Sequence, residues 1–320
     1  MSETIVILVN GEVLAGERGV TIPDQKENAR KLAESLLPIL ASPLQVVVLH
    51  GNKPQVGFVL LRSEIASHAL HKIPLDICGA DTQGATGYML SQSFQNILHH
   101  NNVQREVVTL ISQTLVDTSH PDYLQPRIAI GPWFNSEKAS QYRLMYNWSI
   151  SEEPGRGYRR TVPSPPPLQL QELDSIRQLT GLGTIVIAAG GGGIPVTHDE
   201  KGDLVGIEAV VETEQVAYQL ALQLNASILL MIIETDLKYL ASNLSLHTAR
   251  RLAPAELTQL LSSSAIESGS VRRQLTAAEQ FLASGGQLAL ITTLPMLPAA
   301  LLGESGLLLG DPSALNNLLS

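Results

Sequence analysis

Four consecutive glycines, Gly190, Gly191, Gly192 and Gly193, are the strongest chemical signal in this sequence. They directly follow residues 184–189, an apolar run typical of a buried strand. Glycine lets the backbone approach a ligand closely and turn its N–H groups toward an anion. A flexible turn without a ligand is the alternative, because the run matches neither a dinucleotide fingerprint nor a Walker A loop.

Two further segments could hold an anion. Gly51 and Asn52 end a second apolar run, where the glycine permits a sharp turn and the amide offers donors, although taken alone they are better explained by a structural turn. Arg156, Arg159 and Arg160 lie within five residues and could grip a phosphate. An exposed basic loop is the alternative for the arginines.

Metal and thiol chemistry find little support in the sequence. The histidines show no zinc-ligand spacing, and we predict no tightly bound metal. Cys78 is the sole cysteine, so no intrachain disulfide can form, and we interpret it as a core residue rather than a nucleophile. No G-x-S-x-G nucleophile motif is present.

The elements that must position these residues alternate between strand and helix patterns. Apolar runs at residues 4–9, 45–49, 184–189, 228–233 and 287–291 predict buried strands, and residues 23–42 carry a helical period. Such alternation is typical of an α/β fold whose mostly parallel sheet is covered on both faces. Ligands bind such sheets beyond the carboxyl ends of the strands. Residues 117–167 are rich in proline and predict an irregular excursion or a small subdomain.

Composition limits the partners. The chain has 320 residues and a net charge of −9, which argues against a nucleic-acid-binding surface. No apolar run approaches the roughly 20 residues of a membrane span. The first residues lack the basic region of a signal peptide, so we expect a soluble protein in the cytoplasm.

Five segments resemble the signatures of carbamate kinases, which belong to the amino acid kinase family. They are residues 49–57 (LHGNKPQVG), 74–90 (PLDICGADTQGATGYML), 130–134 (IGPWF), 155–165 (GRGYRRTVPSP) and 187–196 (IAAGGGGIPV). They follow the family order through nearly the whole chain. On these segments the chain is identified as a divergent member of that family.

The resemblance implies a three-layer αβα sandwich with a small protruding subdomain at about residues 117–167. It implies an N-terminal lobe, residues 1–205, that holds carbamate and a C-terminal lobe, residues 206–320, that holds MgATP or MgADP. Family members are typically homodimers that transfer a phosphoryl group between carbamoyl phosphate and MgADP in arginine or purine catabolism. The implied substrate-binding residues are Asn10, Gly11, Glu12, Gly51, Asn52, Gly190, Gly191, Gly192 and Gly193. The implied nucleotide-binding residues are Asp236 and Tyr239, which match their family motif only in part.

The chain departs from the family where phosphoryl transfer needs positive charge. Ile128, Thr213 and Gln274 stand where the family pattern has lysines, and Glu12 stands where it has an amide-bearing asparagine. Lys53, which replaces a family glycine, is a candidate replacement. Arg272 and Arg273 adjoin Gln274, although a helical segment would turn Arg273 away from that position.

We therefore expect a carbamate-kinase-like protein that is catalytically impaired, a pseudokinase retaining a small-anion pocket with a role in sensing or in assembly with a protein partner. An active carbamate kinase using relocated basic residues such as Lys53 is one alternative. A homodimeric scaffold without nucleotide binding is another. Turnover and nucleotide binding separate these three hypotheses.

Overall fold

Strands formed by the short apolar runs build one large sheet and two small ones. The computed structural model describes residues 3–15, 21–153, 155–234, 249–262, 266 and 269–317. Its strands are β1 (Thr4–Val9), β2 (Gln45–His50), β3 (Val107–Thr109), β4 (Gln113–Val116), β5 (Ile128–Phe134), β6 (Ser149–Glu153), β7 (Gly157–Val162), β8 (Pro167–Leu170), β9 (Ile185–Ile187), β10 (Ile194–His198), β11 (Leu204–Gly206), β12 (Ile228–Ile233), β13 (Arg250–Leu252), β14 (Leu288–Thr293) and β15 (Leu307–Gly310).

Helices connect most of these strands. They are α1 (Gly11–Ala15), α2 (Ile22–Leu40), α3 (Lys53–Ala66), α4 (Leu75–His100), α5 (Pro121–Leu124), α6 (Ser136–Tyr146), α7 (Leu173–Gly181), α8 (Thr213–Gln223), α9 (Pro254–Ser262), α10 (Ser270–Ala283) and α11 (Leu297–Leu301). Short 3₁₀ turns cover Gly190–Gly192, Leu294–Met296 and Pro312–Asn317. Within the described ranges, none of the helices combines the length and the apolar character that crossing a membrane requires.

The large sheet has the strand order β13-β15-β14-β12-β1-β2-β9-β3. Its neighbouring strands run parallel except for the antiparallel pair β14 and β15. The runs predicted as buried strands therefore form its centre, and the predicted mostly parallel α/β fold is confirmed. Parallel strands need long crossover connections, which the helices supply.

Alternate side chains of each central strand enter opposite cores. Ile5 and Ile7 of β1 pack into a core closed by α2, α4 and α11, whereas Val6 and Leu8 pack into a core closed by α7, α8, α9 and α10. Successive strand residues point to opposite faces, so a fully apolar strand needs cover on both sides. The result is the predicted three-layer αβα sandwich.

The proline-rich residues 117–167 fold as a small subdomain rather than an irregular excursion. Strands β5, β7 and β6 form a three-stranded antiparallel sheet, and α6 packs on it around Phe134, Ala139 and Tyr142. Pro132 lies in β5 where the pairing with β7 shifts register between Ile130 and Phe134. The proline thus occupies an irregular point of the ladder, where its missing N–H is tolerated.

Lys72, in the connection between α3 and α4, joins this subdomain to the sandwich. Its ammonium group lies 4.1, 5.0 and 4.8 Å from the ring centroids of Tyr142, Tyr146 and Trp148. It also forms an ion pair with Glu64 of α3. Both charged side chains are largely buried, at 15% and 9% exposure, so the contact couples charge pairing to aromatic packing.

Candidate ligand-binding cleft

The glycine loop is fitted closely against the end of β2. A Cβ atom on Gly190 would lie 2.5 Å from Cε1 and Nε2 of His50, and one on Gly191 would clash with the amide of Asn52. Gly191 also has a φ of +67°, which favours glycine. On its other side, the hydroxyl of Thr114 donates to the Gly192 carbonyl at 2.6 Å. Both backbone conformation and close packing therefore require these glycines, and the turn is well held.

His50 is buried and packs directly against this loop at Gly190. Its side chain is only 1% exposed, and Nδ1 lies 3.2 Å from the carbonyl oxygen of Gly51. Burial lowers the pKa of His50 to about 4, because the charged imidazolium would lose its hydration. The ring is therefore neutral at pH 7 and acts here as a packing group.

The loops after β1 and β2 pack backbone against backbone. A Cβ on Gly51 would lie 2.6 Å from the amide nitrogen of Gly11, so the predicted glycines bring the two strand ends together. Asn10 bridges from β1 to the end of β12, because its Nδ2 donates to Oε2 of Glu234 at 2.8 Å. Its Oδ1 accepts from the Gly11 N–H at 3.1 Å.

A partly open pocket of about 80 Å³ lies between the glycine loop, the start of α3 and strand β5. Its polar side chains are Asn52, Lys53, Arg159 and Thr213. The remaining lining residues are small or apolar: Val56, Leu75, Gly79, Ile128, Ala129, Ile130, Gly191, Gly193, Pro195, Ala209, Val210 and Val211. Asn52 is oriented by a hydrogen bond from its Nδ2 to Thr82 Oγ1 at 2.9 Å. We refer to this space as the β5 pocket.

The structure brings two of the three substituted lysine positions into the β5 pocket. Ile128 and Thr213 both line it, as does the candidate replacement Lys53. Gln274 is not among the lining residues. It is buried in α10 at 2% exposure, and its Oε1 has no hydrogen-bond partner within the described ranges.

The two arginines next to Gln274 have different surroundings. Arg272 donates to the backbone carbonyls of Leu261 and Ile266, at 2.6 and 3.1 Å. Arg273 instead places Nε 3.7 Å from carboxylate oxygens of both Glu212 and Glu214. Since those carboxylates flank Thr213 in the chain, helix α10 brings Arg273 to the start of α8.

Carboxylates dominate the remainder of the cleft. The pKa of Glu12 is raised, chiefly by desolvation and further by Glu234 and Glu214, although Lys53 lowers it. The pKa of Glu212 is likewise raised by desolvation first, with a contribution from Glu214 that Arg273 and Lys53 oppose. Negative charge is therefore concentrated beside the substituted positions. Sequence reasoning singled out Glu12 and missed the part played by Glu212, Glu214 and Glu234, although two of them stand on either side of Thr213.

The two arginines of β7 have different surroundings: Arg160 makes structural contacts, and Arg159 lines the β5 pocket. Arg160 pairs with Glu208 and lies over the ring of Trp148, 4.3 Å from its centroid. Arg159 lies 5.1 Å from the centroid of Trp133 and lines the β5 pocket. The segment thus contributes one cation to the candidate site.

The other sequence predictions concern thiol, metal and nucleotide chemistry. Cys78 is buried, and desolvation is the main cause that raises its pKa to about 12, which suits a core residue. In the part of the chain that the structure describes, no group of three or more His, Cys, Asp or Glu residues could hold a metal ion. Asp236 and Tyr239, the predicted nucleotide-binding residues, lie outside the described residues.

Comparison with known proteins places this geometry among carbamate kinases. No protein-family model matches the chain. The chain is 37% identical over 312 residues to the carbamate kinase of Pyrococcus horikoshii, covering 96% of this chain and 98% of that protein. It is 34% identical over 313 residues to the carbamate kinase-like protein YahI of Escherichia coli, with the same coverage. Among solved structures, the carbamate kinase of Giardia lamblia bound to AMP-PNP matches with a TM-score of 0.88 and 29% identity, covering 97% of this chain and 99% of that one.

Proposed function

The chain belongs to the carbamate kinase family, and from that premise we propose that it is a pseudokinase that retains a small-anion pocket but transfers phosphoryl groups slowly or not at all. Its role would then be to sense a ligand or to assemble with a protein partner. The premise rests on the identity and near-complete coverage of the carbamate kinase relatives. The loss of activity rests on the charges in the cleft.

The charge arrangement is the observation that carries this proposal. Phosphoryl transfer depends on positive groups that neutralise the charge on the moving phosphoryl. Ile128 and Thr213, which line the β5 pocket, carry no charge. The carboxylates of Glu214 and Glu234 lie close enough to Glu12 to raise its pKa. A triphosphate entering this cleft would meet like charge on several sides. Removing one preorganised donor costs about 2.7–4 kcal/mol in comparable sites, and here several are replaced.

Relocated charge supports the alternative of a working kinase. Lys53 lies close enough to lower the pKa of both Glu12 and Glu212, and Arg273 faces Glu212 and Glu214. These two cations partly offset the carboxylates. They do not outnumber them, and Arg273 is already engaged with two acids, so we favour impaired transfer.

Nucleotide binding and assembly belong to the same proposal. The Giardia lamblia enzyme was solved with AMP-PNP, and we propose that residues 206–320 form the corresponding lobe here, with weaker affinity for MgATP or MgADP. Residues 1–205 would then form the acceptor lobe. We propose a homodimer located in the cytoplasm, as the family resemblance implies. A scaffold without nucleotide binding is the remaining alternative.

The decisive measurement is ATP formation by the purified full-length protein from carbamoyl phosphate and MgADP. We expect a rate indistinguishable from a protein-free control, with the Pyrococcus horikoshii carbamate kinase as the positive control. Calorimetric titration with MgADP on the same preparation tests nucleotide binding separately. Detectable binding without turnover favours a ligand-sensing role, whereas neither binding nor turnover favours the scaffold.

A robust rate would refute the proposal. In that event Lys53→Ala, compared with Lys26→Ala at an exposed position of α2, tests the relocated cation. A rate lost only in Lys53→Ala would establish a kinase whose cationic group has moved.

A further inference from the structure

The acidic side chains of the cleft line other cavities than the β5 pocket. The β5 pocket is lined by Lys53 and Arg159 and by no Asp or Glu. Glu12 and Glu234 instead line a more open cavity beside α2 and the segment after β14, and Glu212 lines another at the proline-rich end of the subdomain. A small anion can therefore occupy the β5 pocket, but a polyphosphate extending from it would enter an acidic region.

The start of one helix adds positive potential at this pocket. Helix α3 begins at Lys53, its N-cap Asn52 makes no side-chain hydrogen bond to the first turn, and that turn holds no acidic residue. Helix α8 begins at Thr213, but Glu212 is its N-cap and Glu214 lies in its first turn, so the positive end of that helix dipole is already offset. The dipole of α3 favours a negative charge at its N-terminus and reinforces the two cationic side chains of the pocket.

The rest of the lining is apolar, which is unsuited to phosphate. The space is surrounded by small residues, by proline and by five larger apolar side chains: Val56, Leu75, Ile128, Ile130 and Val210. A phosphate dianion needs donors on most of its oxygens, and burying it against these side chains would leave several unsatisfied. An alkyl group would instead gain from burial against them.

The size of the pocket limits the alkyl group. Its volume of about 80 Å³ is roughly half that of the cavity of about 150 Å³ that accommodates benzene. The available space therefore fits about three alkyl carbons, and because the pocket is partly open the charged head can extend toward its mouth. A longer chain would extend beyond the apolar wall into solvent.

We propose that the β5 pocket binds a short-chain aliphatic monocarboxylate, in the range of propionate and butyrate, in preference to phosphate. The carboxylate lies toward Lys53, Arg159 and the start of α3, and the alkyl group packs against Ile128 and its apolar neighbours. This inference rests on the proposed function, since it specifies the ligand of the retained anion pocket. Ile128 is its specificity-determining residue, because a lysine there would place a charge in the apolar wall.

Calorimetric titration of the full-length protein at pH 7 tests the proposal. The titrants are sodium formate, acetate, propionate, butyrate, hexanoate and phosphate. We expect affinity to rise by about fourfold per added methylene up to butyrate, as burial of each group predicts, and to rise no further at hexanoate. Phosphate should bind at least about tenfold more weakly than butyrate, because its additional charge has no partner in the wall.

Two variants test the roles of the residues. Ile128→Lys should flatten the chain-length series and improve phosphate binding relative to butyrate. The same change at Ile65, an exposed position of α3, should leave the series unchanged. Lys53→Gln should weaken all carboxylates by about tenfold or more, as loss of a charged hydrogen bond predicts.

Any of three outcomes would overturn the inference. They are an affinity that does not depend on chain length, tighter binding of phosphate than of butyrate, and no carboxylate binding at all. These outcomes are independent of the turnover assay. A protein without turnover and without carboxylate binding would retain the impaired-kinase proposal and lose this ligand class. A robust kinase that still selects butyrate would do the reverse.

Discussion

His50 makes the stability of the glycine loop sensitive to acid. The imidazole is buried at 1% exposure beneath Gly190, and burial lowers its pKa to about 4. An unfolded chain exposes the ring and restores a pKa of about 6.5. Between these two values the unfolded state binds more protons than the native state, so the free energy of unfolding falls as the pH falls.

The magnitude follows from the two pKa values. Using about 6.5 for the unfolded state and about 4 for the folded state, acidification from pH 7.5 to pH 5.0 should remove about 2 kcal/mol of stability through this one residue. Glu12 and Glu212 act in the opposite direction, because their raised pKa values make the native state the one that takes up protons. Only a comparison with a variant therefore isolates the histidine.

The assay is urea unfolding of the wild-type protein and of His50→Gln at pH 7.5, 6.5, 5.5 and 5.0. We expect the variant to be less stable at pH 7.5 through lost packing, yet to lose about 2 kcal/mol less than the wild type over this range. His198→Gln, which replaces an exposed histidine in β10, should preserve the wild-type pH dependence. Equal pH dependence in the wild type and His50→Gln would refute the reasoning.

Two further substitutions test the packing described above, each by urea unfolding at pH 7.5. Gly190→Ala should destabilise by about 1–3 kcal/mol, since its Cβ would overlap the buried imidazole, whereas Gly181→Ala, with open space around it, should change stability by less than about 1 kcal/mol. Equal effects of the two alanines would contradict the close fit of the loop. Lys72→Met should cost about 2–4 kcal/mol by leaving Glu64 without its most buried partner, whereas Lys138→Met, at 52% side-chain exposure, should cost less than about 1 kcal/mol. Similar losses of stability in the two variants would show that packing of Lys72 against Tyr142, Tyr146 and Trp148 does not anchor the subdomain.

Features that depend on local pattern could be predicted from the sequence. The fully apolar strands were found close to their predicted limits, since a strand buried on both faces must be apolar at every position. The position of the glycine loop after β9 followed from the same pattern. The proline-rich segment could be predicted only in part, because proline shows where regular pairing is interrupted but not that Trp148 and Tyr142 will pack together beside it.

The family resemblance identified the positions at which lysines are replaced. The sequence shows these positions only as substitutions. It indicated that charge was missing at Ile128, Thr213 and Gln274 without showing what surrounds them. The structure assigns Ile128 and Thr213 to one pocket and Gln274 to a buried position outside its lining. Asp236 and Tyr239 remain predictions.

The sequence by itself determined the layered α/β architecture and the strand ends at which the candidate site lies, because hydrophobic periodicity and glycine act over a few residues. Only the tertiary structure decided how charge is distributed there. Glu214 helps to raise the pKa of Glu12, and Arg273 lies near Glu212, across separations of dozens to hundreds of residues. Coulombic and desolvation energies depend on distance in space and on burial, and neither quantity can be read from spacing along the chain.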